Sequence, residues 1–315
     1  MRAIAIESFG GPDRLRLTDL PRPKPARGEV LVRTVAAGVN PADWKIREGW
    51  VEDRLPHAFP LIPGWDLAGV VDEIGENTSR FRKGDKVWAY ARKPVVQWGT
   101  YAEFVSVRED HAALMPSAYL FEEAAAVPMA ALTAYQALFG VARLEKGATV
   151  LVHAAAGGVG HFAVQLAAQA GARVVGTAGS ENHGFVLGLG AERAIDYRNE
   201  DFRDGVRRLC PDGVDVVLDA VGGDTRVRSL EVLEPGGILV SIVEEPDAEQ
   251  AAERGVRARF VFVEPDGEHL AMLAREVDRG RLKAHVGRMF PLADAARAHE
   301  ESQSGHVRGK LVLTL

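Results

Sequence analysis

The sequence predicts an α/β protein of two domains, one β-rich and one a doubly wound parallel sheet with crossover helices. Three observations carry this. Up to about residue 115, short β-branched and aromatic runs alternate with Gly, Pro and Asp clusters. From about residue 121 the chain turns alanine-rich, and strand-like runs alternate with helical spacing. The length of 315 residues suits about two domains of roughly 100–200 residues each. The predicted division is 1–121 with 262–315 for the β-rich domain, and 122–261 for the parallel sheet.

In chain order, Glu29–Val35, Val70–Ile74, Lys86–Tyr90 and Tyr101–Val107 read as strands. Pro21–Pro25 lacks the donors for a central strand or helix and reads as an extended connector or sheet edge. The stretch from Phe121 to Phe139 has helical spacing interrupted at Pro128. A buried-type strand at Ala148–His153 precedes a helix at Val159–Ala170. A strand at Ala172–Thr177 and a short helix at Glu181–Leu189 follow. Arg193–Asp196, Val214–Asp219 and Gly237–Val243 are further strands. The tail offers a helix at Glu268–Arg279, a strand at His285–Phe290, a helix at Leu292–Glu300 and a last strand at Lys310–Leu315. This mixed tail suggests a return to the first domain, with the parallel sheet inserted.

Composition narrows the function. Lys plus Arg is 38 against 44 Asp plus Glu, a net charge of −6. That leaves no basic excess for a phosphate backbone and disfavours a nucleic-acid binder. The single cysteine, Cys210, excludes an internal disulfide and a cysteine-rich zinc ribbon. Residues 124–142 and 148–172 lack Asp, Glu, Lys and Arg, but Pro128, Thr133, Gln136, His153 and several glycines make them poor membrane spans. The start, MRAIAIESFG, carries Glu7 and no long apolar run, so no signal peptide is expected. The expectation is a soluble, cytoplasmic protein with neither nucleic-acid nor membrane partners.

The strongest chemical signal is Ala155-x-Gly157-x-x-Gly160, between a predicted strand and a predicted helix. A tight strand-to-helix turn brings backbone N–H groups against a pyrophosphate, and the helix N-terminus adds partial positive charge. Gly157 leaves room for the phosphate, and Gly160 lets the helix pack close to the strand. Ala155 stands where the pattern has its first glycine. The second strand ends Gly176-Thr177-Ala178-Gly179-Ser180, with no carboxylate before Glu181. A carboxylate there would hold the ribose hydroxyls of NAD. Thr177 and Ser180 are instead small donors for a 2′-phosphate, with His183, Tyr197 and Arg198 nearby, which favours NADP(H).

Several segments together resemble the medium-chain dehydrogenase/reductase superfamily, in its zinc-independent quinone oxidoreductase branch. They are Ala37–Asp43, Pro63–Gly69, Gly99–Glu103, Leu132–Tyr135, Ala155–Gly160, Asp219–Gly223 and Gly309–Leu313. They occur in the family's order and span nearly the whole chain. The resemblance implies a GroES-like catalytic domain built from both chain ends, a Rossmann domain between them, an active site in the cleft, NADPH and commonly a homodimer. In zinc-dependent relatives a cysteine ligand occupies the place of Asn40, and a histidine–glutamate pair that of Trp65-Asp66. No metal is expected. Carried over by motif, Asn40 and Thr133 lie near the nicotinamide, and Ala156, Gly157, Gly158, Val159 and Gly160 at the pyrophosphate. Thr177, Ala178, Ser180, His183 and Tyr197 surround the adenosine end. Val221, the Ile242–Val243 turn and the Phe262–Val263 segment line the nicotinamide pocket, and Lys310 is a further cofactor-site position.

Without a metal, the substrate must be activated by its own conjugation, as a quinone or other conjugated carbonyl is. The protein then supplies orientation and hydrogen-bond donors while the cofactor carries the hard step. Asn40 is the candidate donor to the carbonyl oxygen, and Asp43 and Lys45 are candidates to relay a proton. Residues Gly49–Glu52 hold no tyrosine acid, which leaves protonation by water open and favours quinones over acyl thioesters. Alternatives are a biosynthetic enoyl reductase acting on one enone and a non-catalytic NADPH-binding sensor. No tyrosine has lysine four residues on, and no Gly-x-Ser-x-Gly occurs. These absences disfavour a short-chain dehydrogenase and a hydrolase.

Overall fold

The computed structural model describes residues 1–50 and 52–315. Val51, within the stretch 49–52 considered above, lies outside the described residues. The chain opens with β1 (Arg2–Ala5), β2 (Arg16–Asp19), β3 (Glu29–Val39) and α1 (Pro41–Arg47). Next come β4 (His57–Ile62), β5 (Asp66–Ile74), β6 (Lys86–Tyr90), β7 (Val96–Trp98), β8 (Phe104–Arg108) and β9 (Ala112–Leu114). Helices α2 (Phe121–Ala125) and α3 (Pro128–Tyr135) are followed by a π-helical turn at Gln136–Val141. The alternating segment begins β10 (Thr149–Val152), α4 (Gly160–Gln169), β11 (Arg173–Thr177), α5 (His183–Gly188) and β12 (Arg193–Ile195). It continues α6 (Phe202–Leu209), β13 (Val214–Asp219), α7 (Gly223–Ser229), β14 (Leu233–Ser241), α8 (Ala248–Glu253) and β15 (Arg257–Phe260). The tail adds α9 (Gly267–Asp278), β16 (Val286–Pro291), α10 (Ala295–Gln303) and β17 (Lys310–Thr314).

Two compact units result, Met1–Leu132 with Pro265–Leu315, and Thr133–Glu264. The boundaries expected at 121/122 and 261/262 are therefore corrected to 132/133 and 264/265. Packing explains both shifts. A Cβ on Gly38 of β3 would come within 2.3 Å of the Ala125 carbonyl oxygen, so α2 lies directly on the first unit's sheet. Met129 N–H also donates to Asp66 Oδ1 at 2.8 Å. At the other crossing, Gln136 Nε2 donates to the Glu264 carbonyl at 2.8 Å, and Glu264 N–H to Gln136 Oε1 at 3.0 Å. Residues 262–264 thus stay with the second unit.

The first unit contains a seven-stranded sheet in the order β16-β17-β3-β5-β6-β9, with β8 also paired to β3. β3 runs past the predicted end at Val35 because Ala36, Ala37 and Gly38 pair with both β5 and β17. Their small side chains weaken the strand signal yet leave space for α2. Residues 101–103 were expected in a strand, but β8 starts at Phe104. The Pro21–Pro25 connector has no regular structure.

The second unit is a six-stranded parallel sheet, β12-β11-β10-β13-β14-β15. Strand order reverses between β10 and β13, and ligands bind outside the carboxyl ends of strands at such a switch point. Val175, Leu151, Val217, Leu239 and Ala258 stand in register across five strands and are buried in one core. Among the described residues no helix is long and apolar enough to cross a membrane.

Gly38→Ala should lower stability by about 3 kcal/mol, because the added carbon meets backbone rather than a movable side chain. A fall in the urea midpoint, read by circular dichroism, checks this.

Candidate active site

In the first unit three chain segments meet at a buried polar centre. Asn40 lies between β3 and α1, Asp66 opens β5, and Lys310 opens β17. All three are almost fully buried. Lys310 Nζ donates to the Val39 carbonyl at 2.9 Å and to Asn40 Oδ1. It also lies 3.7 Å from Asp66 Oδ2. Asn40 Nδ2 donates to the same Asp66 oxygen at 2.9 Å. Burial pushes the Asp66 carboxyl up and the Lys310 ammonium down, and their mutual attraction opposes both shifts.

The centre continues as a chain of buried side chains. Asp43 Oδ2 accepts the Asn40 backbone N–H at 2.8 Å and the Tyr101 hydroxyl at 3.0 Å. His299 Nε2 lies 3.3 Å from that hydroxyl, and Arg47 Nη1 lies 3.2 Å from His299 Nδ1. The fully buried Arg47 guanidinium also donates to the Gly10 carbonyl, Glu48 and Gln303. Burial raises Asp43 from the ordinary 3.8 to about 7. It also raises the Tyr101 hydroxyl and lowers His299 to about 3. His299 is therefore a neutral link at physiological pH.

Several expected positions are corrected here. Lys310 was expected at the cofactor; its ammonium meets Asn40, expected at the nicotinamide, and Asp66, which was given no role. Asp43 and Lys45 were expected to share a proton relay. Residues two apart on a helix face different ways, and Lys45 Nζ sits over the Trp44 and Trp50 rings at 5.6 and 5.7 Å. Asp66 and Tyr101 fell within the family segments but were given no role, and Arg47 and His299 were not singled out. Asp66 did leave a signal, a carboxylate heading an apolar strand. His299 left none, since its partners lie about 200 residues away in sequence.

In the second unit the glycine turn joins β10 to the ten-residue helix α4. Ala154 has a φ of 50°, in the left-handed region. A Cβ on Gly160 would lie 2.2 Å from the Ala154 carbonyl oxygen, and one on Gly157 3.2 Å from it. Close helix-to-strand packing thus explains Gly160. Ala155 is tolerated because Gly176 faces it, where a Cβ would come within 2.7 Å of the alanine methyl. Ala156 is buried, while Gly157, Gly158 and Val159 are partly exposed just before α4. The first N–H groups of a helix have no intrahelical acceptor, so this turn fits a dinucleotide pyrophosphate.

At the end of β11 the expected roles divide. Thr177 is buried, and its hydroxyl meets His153 Nδ1 at 3.1 Å and the Ala154 N–H at 3.3 Å. It braces the turn, whereas the expectation was a donor to the 2′-phosphate. His153 Nε2 lies 2.8 Å from Ser229 Oγ, and burial lowers this histidine to about 4. Ala178 is buried, and its carbonyl lies 3.2 Å from His183 Nε2. Ser180, Tyr197 and Arg198 are exposed. Of the remaining expected positions, Thr133 is buried, Val221 and Phe262 are exposed, and Ile242 and Val243 are partly buried. Val263 points inward and is buried, so only its neighbour Phe262 presents a side chain. Asp219 shapes the turn after β13 by accepting the N–H groups of Val221 and Gly222 at 3.0 and 2.9 Å.

A family model described as alcohol dehydrogenase GroES-like domain matches residues 26–117. A second, described as zinc-binding dehydrogenase, matches residues 189–313. The quinone oxidoreductase of Mus musculus is 34% identical over 330 residues, covering 100% of this chain and 98% of that protein. The structure of the quinone oxidoreductase from Coxiella burnetii aligns with a TM-score of 0.90 at 37% identity, covering 100% of this chain and 99% of that one. The structure of Escherichia coli quinone oxidoreductase complexed with NADPH aligns with a TM-score of 0.90 at 30% identity, covering 100% of both chains. The chain belongs to the medium-chain dehydrogenase/reductase superfamily, in its quinone oxidoreductase-like branch. A zinc ion does not fit the polar centre. Asn40 Oδ1 and Asp66 Oδ2 already face the Lys310 ammonium, and a second cation there would be repelled. Among the described residues no three His, Cys, Asp or Glu side chains are grouped to hold a metal.

Lys310→Met should cost about 3–5 kcal/mol, because it strands a buried carboxylate. The Lys310→Met/Asp66→Asn double variant should be less destabilised than Lys310→Met alone, a difference that urea denaturation can read. Asp43 gives a pH signature. Its folded value lies above the ordinary one, so the native state holds a proton that the unfolded chain releases. Stability should therefore be greatest below about pH 4 as far as this group is concerned, and be lost as pH rises towards about 7. Asp43→Asn should remove that part of the slope in unfolding free energy measured across the window.

Proposed function

We propose that the chain is an NADPH-dependent oxidoreductase that reduces a quinone or other conjugated carbonyl without zinc. What supports this is the Lys310 ammonium held on Asn40 and Asp66, a built-in cation behind the amide that we assign to the substrate oxygen. The full-length likeness to quinone oxidoreductases, one of them complexed with NADPH, supports the substrate class and the cofactor.

NADPH, when bound, supplies the hydride. The turn at Gly157–Val159 and the start of α4 hold its pyrophosphate. Ser180, Tyr197 and Arg198 receive the adenosine end, and Thr133, Val221, Ile242, Val243 and Phe262 serve the nicotinamide end. Asn40 orients the carbonyl substrate. Its Oδ1 is fixed by Lys310 and one Nδ2 hydrogen by Asp66, which leaves the second for the oxygen that gains negative charge. Asp43 Oδ2 takes two donors, while Oδ1 has no partner. A neutral Asp43 therefore carries its proton on Oδ1, and this carboxyl is the proton store nearest Asn40 in sequence. The protein is expected to act as a homodimer. The outer strands β12 and β15 each leave a sheet edge open to a second copy, which light scattering can test.

The deciding assay follows NADPH consumption with a panel of quinones and enones, with NADH in parallel and EDTA present. Turnover of quinones with NADPH, unaffected by EDTA, is expected. Reduction of enones alone would move the protein to the enoyl reductases, and loss of activity with EDTA would overturn the metal-free reading. Asn40→Ala should lower kcat about 100-fold with a smaller change in KM, as removal of an oxyanion donor does.

A further inference from the structure

The end of β11 holds a second, unexpected feature. Dinucleotide folds read the ribose there with a carboxylate for a free 2′-hydroxyl or with an arginine for a 2′-phosphate. This chain has both, bonded to each other. Arg198 Nη1 lies 3.0 Å from Glu181 Oε1 and 3.2 Å from Oε2. The Glu181 carboxylate folds back over Gly179, where a Cβ would come within 2.6 Å of Oε2 and 2.7 Å of Oε1. The arginine leans on the Tyr197 ring, its guanidinium carbon 5.6 Å from the ring centre. A second carboxylate, Asp196, stands beside the pair and accepts the Arg198 N–H at 3.1 Å and Asn199 Nδ2 at 2.7 Å. His183, the other basic side chain at this end, is turned to the Ala178 carbonyl.

We propose that Glu181 is the residue that sets cofactor selectivity, because its carboxylate competes with the 2′-phosphate of NADPH for the Arg198 guanidinium. The inference rests on the NADPH reading above and adds a restraint to it. A 2′-phosphate gains Arg198 only when Glu181 lets go, and it then lies beside a like charge. A ribose with a free 2′-hydroxyl meets neither cost, because Glu181 accepts its hydrogen bond while still holding Arg198. The chain is thereby tuned to a smaller preference for NADPH than its arginine alone would give. The pair is about half exposed, with side-chain accessibilities of 44% and 51%. The effect is accordingly modest and weakens with salt.

The test is calorimetric titration of the full-length protein with NADP⁺ and with NAD⁺, at low and high salt. Glu181→Gln keeps the shape and removes the charge. It should tighten NADP⁺ by about fivefold to tenfold at low salt and by less at high salt, as expected for an exposed charge worth about 1 kcal/mol. NAD⁺ should bind no tighter than before. Arg198→Ala should weaken NADP⁺ alone. If Glu181→Gln leaves NADP⁺ binding unchanged while Arg198→Ala weakens it, the competition is refuted and the NADPH reading stands. If the parent protein prefers NAD⁺ and Arg198→Ala moves neither ligand, the NADPH reading fails and the competition with it.

Discussion

A buried ammonium has to be compensated, and the first unit is organised around meeting that demand for Lys310. Its partners come from the ends of two other strands of the same sheet, β3 and β5. Leu311 pairs with Val39 and Gly38 with Asp66, so Lys310, Asn40 and Asp66 converge only when β17, β3 and β5 are aligned. The last strand of the chain must therefore be in place before the charge near residue 66 is neutralised. Asp66 serves a second purpose. Its other oxygen accepts the Met129 N–H, one of the first-turn donors that α3 cannot satisfy itself.

From this centre a line of hydrogen bonds runs outward through Asp43, Tyr101, His299 and Arg47. Such networks rigidify a fold when satisfied and are costly when they are not. Here the bonds tie α1 to α10 and to the segment before β8. The one buried atom of the line without a partner, Asp43 Oδ1, belongs to the group that burial holds protonated near neutral pH. The raised Asp43 value and the unpartnered oxygen thus have one physical origin, the exclusion of water from a carboxyl group.

The second unit solves a steric problem and an electrostatic one. The steric one is an alanine at the start of the glycine turn, accommodated by the glycine opposite it on β11. His153 and Thr177 then brace the backbone behind the turn, so polar side chains that read as ligand donors are spent on holding the turn in shape. The electrostatic one lies at the mouth of β11 and β12, where the Arg198 guanidinium is paired with Glu181 and Asp196 holds the Arg198 backbone.

Much of this was legible in the chain. The parallel sheet, the glycine turn and the order of the family's motifs depend on local spacing, because strand and helix periods and tight turns are set by neighbouring residues. Asn40 was legible for the same reason, as part of a compact motif. Its chemistry was not, since its two partners come from residues 66 and 310. The boundary near residue 132 was hidden because alanine-rich helices on either side look alike, and only packing against Gly38 assigns α2 to the first unit. The inward turn of Lys310, Thr177 and Val263 was equally invisible. The sequence by itself determined the two-part α/β architecture and the dinucleotide turn, which arise from local propensity and periodicity. Tertiary structure alone decided which polar side chains face inward to one another and which face a ligand, because burial and pairing of charge depend on residues that meet only when distant segments pack.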